Sequence, residues 1–388
     1  MKFSVPTNWQ EDLLAVFESP AIFEVYGKLA EDFVGGGRCA YSLSVISRVD
    51  AAKYLQRVHK GNCEFNYLLN ASCLAGREFT RGGRREIFRL LDWLVKIGVD
   101  SVTVSLPYLA EIITKSYPGL KIKVSVMAHV DSLEKAKFWE SLGVRSITLL
   151  HTKVNRDFEL LKKIRKHLKC ELQLMANNHC LYNCPLEEYH ELFSSHASQT
   201  RNSDGNFIFD YCYLTCRYMK LSDPALLISS PWIRPEDVHL YEGLGIDSIK
   251  IVDRRLASMD LIRIIQAYLN GKYDGNLIDL FPNLGGLSLV NLPNILLKIK
   301  YSLRPFQINI LNIPKLRKLL GKMQVFIDNR ELDGFLDFFL THDCKHVSCD
   351  ECGYCQGIAG KLVKIDKNYQ DRLCIEYKNF LNNFLTRK

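Results

Sequence analysis

Cys180 and Cys184 stand in NNHCLYNCP at 177–185, where an apolar run through Leu172, Leu174, Met175 and Ala176 gives way to a polar turn and a proline. A structural thiol is usually a lone small hydrophobe inside a packed element, so a spaced pair in a turn points to chemistry. Cys212 and Cys216, in FDYCYLTCRY at 209–218, repeat the C-x3-C spacing. Soft iron and zinc prefer thiolates; iron-sulfur clusters tolerate varied spacings, whereas zinc more often sits on C-x2-C knuckles. The four cysteines are therefore candidate ligands of one iron-sulfur cluster, with zinc or four unrelated buried thiols as the competing readings. A radical S-adenosylmethionine site would need a third cysteine where Glu187 stands.

A second array lies in HDCKHVSCDECGYCQGIAGKLV, where Cys344, Cys349, Cys352 and Cys355 form C-x4-C-x2-C-x2-C. Two linked C-x2-C steps turn several thiolates toward one metal, either a second iron-sulfur cluster or structural zinc, with His342 or His346 as substitutes for one ligand. His179, beside Cys180, is a candidate general acid or base, and Asp253 with Arg254 could orient a charged substrate. Turn capping by His179 and an ion pair within 253–255 are the structural alternatives.

These residues need elements to hold them. Eight short β-branched runs recur: Ile22 to Tyr26, Glu64 to Asn70, Ser101 to Ser105, Lys121 to Ala128, Ser146 to Leu150, Glu171 to Ala176, Leu226 to Ser229 and Ser248 to Val252. Between them, 84–97, 132–142 and 156–168 carry apolar residues at helical spacing. KIGVDSVTVS at 96–105, SLGVRSITLL at 141–150 and GLGIDSIKIV at 243–252 each place a glycine suited to a left-handed helix cap before a strand. This repeated αβ loop predicts an α/β fold, a (β/α)8 TIM-like barrel over 22–269, with a long insert at 177–225 between the sixth and seventh runs. Residues 1–21 form an amino-terminal segment, and 270–388 a smaller region carrying the cluster at 344–355. In such a barrel the loops after the strands build the active site, which puts the cysteine pair at its mouth. A doubly wound sheet is the rival, but no G-x-G-x-x-G follows the first run; the GGG at 35–37 reads as a flexible loop.

The chain has 388 residues, 47% hydrophobic and 24% charged, enough to bury a large core. The start has no secretory apolar segment, and no apolar run is long enough to cross a bilayer, so a cytoplasmic location is expected. There, thirteen cysteines argue for metal ligation over disulfides. The net charge of +8 permits an RNA partner, and PKLRKLLGK at 314–322 is either a phosphate contact or a solvated helix face.

EVYGKLAEDFVGGGR near the start, ELQLMANNHCLYNCP in the middle and SSPWIRPEDVHLYEGLGIDSIKIVDR at 229–254 together resemble the collagenase-like peptidase family U32. The resemblance runs through the barrel and implies an iron-sulfur protein related to oxygen-independent hydroxylation of RNA bases or quinones. It also implies Cys180 and Cys184 in the family's cysteine region, completed by Cys212 and Cys216, with Cys39 able to replace one. The array at 344–355 departs from the best-known branches. The leading expectation is an iron-sulfur-dependent oxidoreductase or hydroxylase acting on an RNA base, a quinone-like metabolite or a peptide, with an electron donor or partner protein. The alternatives are a collagenase-like peptidase, for which no H-E-x-x-H or G-x-S-x-G is present, or a non-catalytic RNA- or protein-binding partner.

Overall fold

The computed structural model describes residues 1–200, 209–282, 284, 312–342 and 344–386. Eight parallel strands close into a barrel: β1 (Lys2–Pro6), β2 (Ile22–Gly27), β3 (Glu64–Leu69), β4 (Ser101–Val104), β5 (Lys121–Val124), β6 (Ser146–Thr148), β7 (Glu171–Met175) and β8 (Ser248–Lys250). The helices are α1 (Arg48–Lys60), α2 (Arg81–Lys96), α3 (Pro107–Ser116), α4 (Leu133–Ser141), α5 (His151–Val154) and α6 (Phe158–His167), then α7 (Glu187–His196), α8 (Tyr211–Ser222), α9 (Ala225–Ser229), α10 (Val238–Gly243) and α11 (Ser258–Asn270).

Two assignments differ from the sequence reading. Residues 1–21 are not a separate segment: Lys2–Pro6 is a barrel strand, pairing with β2 on one side and β8 on the other. The run Leu226 to Ser229 is not a strand but most of α9. A short apolar run has no periodicity long enough to separate strand from helix, and Pro224 at its head suits a helix start. The repeated αβ loops form as expected, with Gly98, Gly143 and Gly245 left-handed at φ 84°, 76° and 81°.

The helices hold the barrel through apolar stripes. In α2, Ile87, Leu90, Leu91 and Leu94 are buried, and burying each contributes roughly 1.5–3 kcal/mol. The Thr80 side chain caps this helix by accepting from the Gly83 amide at 2.9 Å. Strand residues facing the helices are apolar, among them Val25, Phe65, Val102, Ile122, Ile147, Leu174 and Ile249. The alternate positions are buried and polar: Ser4, Glu24, Asn66, Ser101, Lys123, Gln173, Ser248 and Lys250. Glu24 is the hub, accepting from Ser4 at 2.5 Å, Lys123 at 2.6 Å and Asn66 at 3.1 Å. Burial alone would raise the Glu24 pKa; the charges of Lys123 and Lys250 outweigh it and hold the carboxyl below its ordinary value. Tyr26, Leu68, Met175 and Val252 form a separate apolar cluster.

The region after α11 shares this core. Tyr377 accepts from Arg217 of α8 at 2.9 Å, the Asn329 carbonyl accepts from Arg234 at 2.7 Å, and Phe335 stacks on Trp232 at 5.3 Å. In the 314–322 stretch, Lys318 and Lys322 pair with Glu376 and Asp279, each at 2.6 Å. Half of that stretch's positive charge is thus engaged within the molecule.

Candidate functional site at the barrel mouth

A cavity of about 150 Å³ opens beyond the strand ends, floored by Tyr26, Leu68, Met175 and Val252. The loop after β2 builds one wall, and its glycines are required there. Gly35 is left-handed at φ 79°, and a Cβ on it would lie 2.7 Å from the Gln199 side chain and 2.8 Å from the Ser195 carbonyl. A Cβ on Gly36 would lie 2.7 Å from Asn70 Oδ1, so the GGG stretch is a tightly seated wall and not a flexible loop.

The two cysteine pairs relate differently to this cavity. Cys180 and Cys184 line it, while Cys212 and Cys216 sit one turn apart on α8. The charge of Cys216 bears on Cys180, Cys184 and Cys212, and that of Cys184 on Cys180 and Cys212. Burial pushes the Cys184 and Cys212 thiols up to about 11 and about 12, and Cys180 higher still. Lys220, also on α8, opposes the shift at Cys180 and donates to the His179 carbonyl. Among the described residues no three His, Cys, Asp or Glu side chains converge as the shell of a single metal ion.

Cys39 also lines the cavity, but it lies toward Ser194, Asp210 and Arg255, and burial pushes its thiol up to about 12. The second array gathers as well: Cys344 feels Cys355, Cys352 and Cys349. Residues 349–352 form one helical turn with a Ser348–Glu351 capping box, ended by left-handed Gly353. His342 lies against Phe338, ring centroids 4.3 Å apart. Tyr182, between Cys180 and Cys184, feels the charges of Cys344 and Cys349, so the two cysteine groups flank one loop.

The other expected site residues have divergent surroundings. His179 is buried with Nε2 3.0 Å from the Leu227 carbonyl and its ring 4.7 Å from that of Phe281, away from the cavity lining. Burial holds its pKa well below the ordinary histidine value. Asp253 accepts from Arg38 at 2.7 Å and from Arg255 at 2.8 Å, which together keep the buried carboxyl ionised. Arg254 is among the lining residues and buried, and its Nη1 has no hydrogen-bond partner.

Several residues at the mouth were given no role from the sequence, although His129 and His151 were expected in the loops after the fourth and fifth runs. His151 Nε2 accepts from Asn178 at 3.0 Å, leaving the proton on Nδ1, and burial lowers its pKa to about 3. Glu191, which lines the cavity, is 2.6 Å from His129, and this hydrogen bond raises the histidine pKa. Burial, then the Glu191 charge, pushes Glu187 up to about 7. Lys250 reaches up from β8 with Nζ 4.1 Å from the Tyr26 ring centroid, and burial lowers its pKa to about 7. The only available signal was position: His129 and His151 each follow a barrel strand.

A closed (β/α)8 barrel with polar and thiol side chains grouped at the strand C-termini defines the class. Peptidase family U32 matches residues 44–225. An uncharacterized protease of Methanocaldococcus jannaschii, MJ1657, is 35% identical over 343 residues, covering 88% of this chain and 89% of its own. The chain belongs to peptidase family U32. Among solved structures, the U32 peptidase Mk0906 aligns at 20% identity and TM-score 0.49, over 64% of this chain and 92% of its own. A glycerol uptake operon antiterminator-related protein of Thermotoga maritima aligns at 13% identity and TM-score 0.28, over 51% and 92%. No described helix is long and apolar enough to cross a membrane.

Proposed function

We propose that the chain is a cytoplasmic enzyme working at the barrel mouth with a 4Fe-4S cluster held by Cys180, Cys184, Cys212 and Cys216. The reaction class is oxygen-independent hydroxylation of an RNA base, a quinone-like metabolite or a peptide, with a separate protein as electron donor. What supports this reading is that Cys180 and Cys184 line the cavity, while Cys212 and Cys216, one turn apart on α8, bear electrostatically on that pair. When bound, such a cluster supplies electrons or, through an open iron, Lewis acidity. Lys220 places a positive charge near the thiolates, Glu187 holds a proton close to neutral pH, and Arg254 lines the cavity. The carboxy-terminal cysteines Cys344, Cys349, Cys352 and Cys355 hold a second cluster or a structural zinc in the same proposal. Anaerobic purification should yield brown protein with about four iron and four sulfide per cluster, and Cys180→Ala with Cys184→Ala should remove that colour. Colourless anaerobic protein lacking iron would overturn the reading.

Proteolysis is the second reading, and the family and the protease name of MJ1657 favour it over hydroxylation. Its structural support is Glu187, whose pKa of about 7 suits a general base for an attacking water. Its weakness is the thiols: Cys39, Cys180, Cys184 and Cys212 are raised by burial, the opposite of an activated cysteine nucleophile. Peptide hydrolysis by iron-free protein, lost in Glu187→Gln, would establish it.

A further inference from the structure

Among the described residues four lysines are buried: Lys28, Lys123, Lys220 and Lys250. Three of them donate to an oxygen. Lys28 reaches Asp32 at 2.5 Å, Lys123 reaches Glu24 at 2.6 Å, and Lys220 donates to the His179 carbonyl. Lys250 differs, because its Nζ makes no hydrogen bond and no ion pair among the described residues and has only the face of the Tyr26 ring, 4.1 Å from its centroid. Nor is this nitrogen sealed off. The polar atoms that are both fully enclosed and without a partner belong to other residues, and Lys250, 6% exposed, lines the mouth cavity, so its Nζ keeps contact with cavity space. Buried polar groups in native proteins are satisfied as a rule, and an amine left over at a cavity calls for a use.

Lys250 ends β8, in register with Ser4 of β1 and Met175 of β7, and so stands at the strand end where barrels of this type place their reacting groups. The charged groups that bear on it are Glu24 of β2, Lys123 of β5 and Arg254 in the loop after β8. Burial lowers its pKa most; Glu24 opposes the fall and the two cations add to it, leaving the amine at about 7. Glu24 cannot claim Lys250 as a donor, because Ser4, Asn66 and Lys123 already occupy its oxygens. At neutral pH about half of Lys250 is therefore the neutral amine, against roughly 0.04% of an ordinary lysine. We propose that Lys250 is a nucleophile that captures a small aldehyde or ketone in the mouth cavity as a Schiff base. The nitrogen lone pair adds to the carbonyl carbon, and the carbonyl oxygen then leaves as water with the two amine protons, so nothing is oxidised or reduced. The cavity, at about 150 Å³, suits a small carbonyl compound or the carbonyl end of a larger one. Its apolar floor of Leu68, Met175 and Val252 shields the imine from hydrolysis. The inference goes beyond the reaction class proposed above and uses none of the cysteines.

Full-length protein purified without oxygen is incubated at pH 7 with pyruvate or propanal and cyanoborohydride, which traps imines as stable secondary amines, and the adducts are located by peptide mass mapping. Saturable modification of Lys250 by at least one probe is expected, at least about tenfold faster than that of an exposed lysine such as Lys367. The ratio of the two adducts should fall as pH is raised from about 7 toward the ordinary lysine range, because only Lys367 still gains free amine there. Lys250→Arg keeps the cation and should lose the fast adduct, as should Lys250→Met. Circular dichroism checks the folding of each variant, and the wild-type map stands by itself if both unfold. The same adduct in Cys180→Ala, Cys184→Ala protein supports the inference apart from the cluster reading. Lys250 left unmodified by both probes while Lys367 reacts, or an undiminished fast adduct in folded Lys250→Arg, overturns it.

Discussion

Asp253 and Arg254 are neighbours in sequence with opposite surroundings. The aspartate is clasped by Arg38 and Arg255, while the arginine keeps a buried donor, Nη1, without a hydrogen-bond partner. Charge type alone gave both residues the same role; only their partners divide them. Glu24 makes the energetic version of this point. Replacing it with glutamine leaves Lys123 and Lys250 facing a neutral amide, and removing one member of a buried ion pair costs about 3–5 kcal/mol. Urea unfolding at neutral pH measures that loss. Because the folded Glu24 pKa lies below the unfolded one, its contribution is full above the ordinary glutamate range and fades as pH falls through the folded value. The glutamine variant should lack that acid-side slope. Glu187 has the reverse sign. Its folded pKa of about 7 exceeds the unfolded one, so the native state binds the extra proton. Its contribution to stability falls as pH rises from the ordinary glutamate value toward about 7. Melting temperatures of Glu187→Gln across that window should decline less with pH than those of the parent.

At the scale of elements, left-handed glycines serve two purposes. Gly143 ends the turn after α4, and a Cβ placed on it would meet nothing within 4 Å, so Gly143→Ala incurs chiefly backbone strain, about 1–2 kcal/mol. Gly35 has the same handedness but faces Gln199 and the Ser195 and Ser198 atoms at under 3 Å. Gly35→Ala should therefore cost more than Gly143→Ala in chemical denaturation. The αβ loop glycines were legible because their motif repeats. The GGG wall was not, because its neighbours, Ser195 and Gln199, are some 160 residues away in sequence.

At the scale of the whole molecule, the barrel closes through its first few residues and is packed against by residues such as Asn329, Phe335 and Tyr377. Deleting residues 1–6 removes the strand between β8 and β2, leaving two unpaired edges where the ring was closed. Truncation after residue 270 uncovers Trp232 and removes Tyr377 and Asn329 as acceptors of Arg217 and Arg234. Both truncations should give insoluble or molten chains, as read by solubility and near-ultraviolet dichroism. A folded, soluble 1–270 fragment would show that the carboxy-terminal region is dispensable for the barrel core.

Chain pattern alone was enough to specify the periodic parts of this protein: the αβ repeat, its glycine caps, seven of the eight barrel strands and the paired cysteine spacings. Each is a local pattern whose signal lies within a few residues. Packing in three dimensions settled whatever depends on distant partners. KFSVP became a strand because β2 and β8 offered it two edges, and LLIS became helix. His179 faced Leu227 and Phe281, whereas His151, Lys250 and Arg254 came to line the cavity. A side chain's ionisation and free hydrogen-bonding capacity are set by whatever the fold packs against it, and chain spacing carries no record of that.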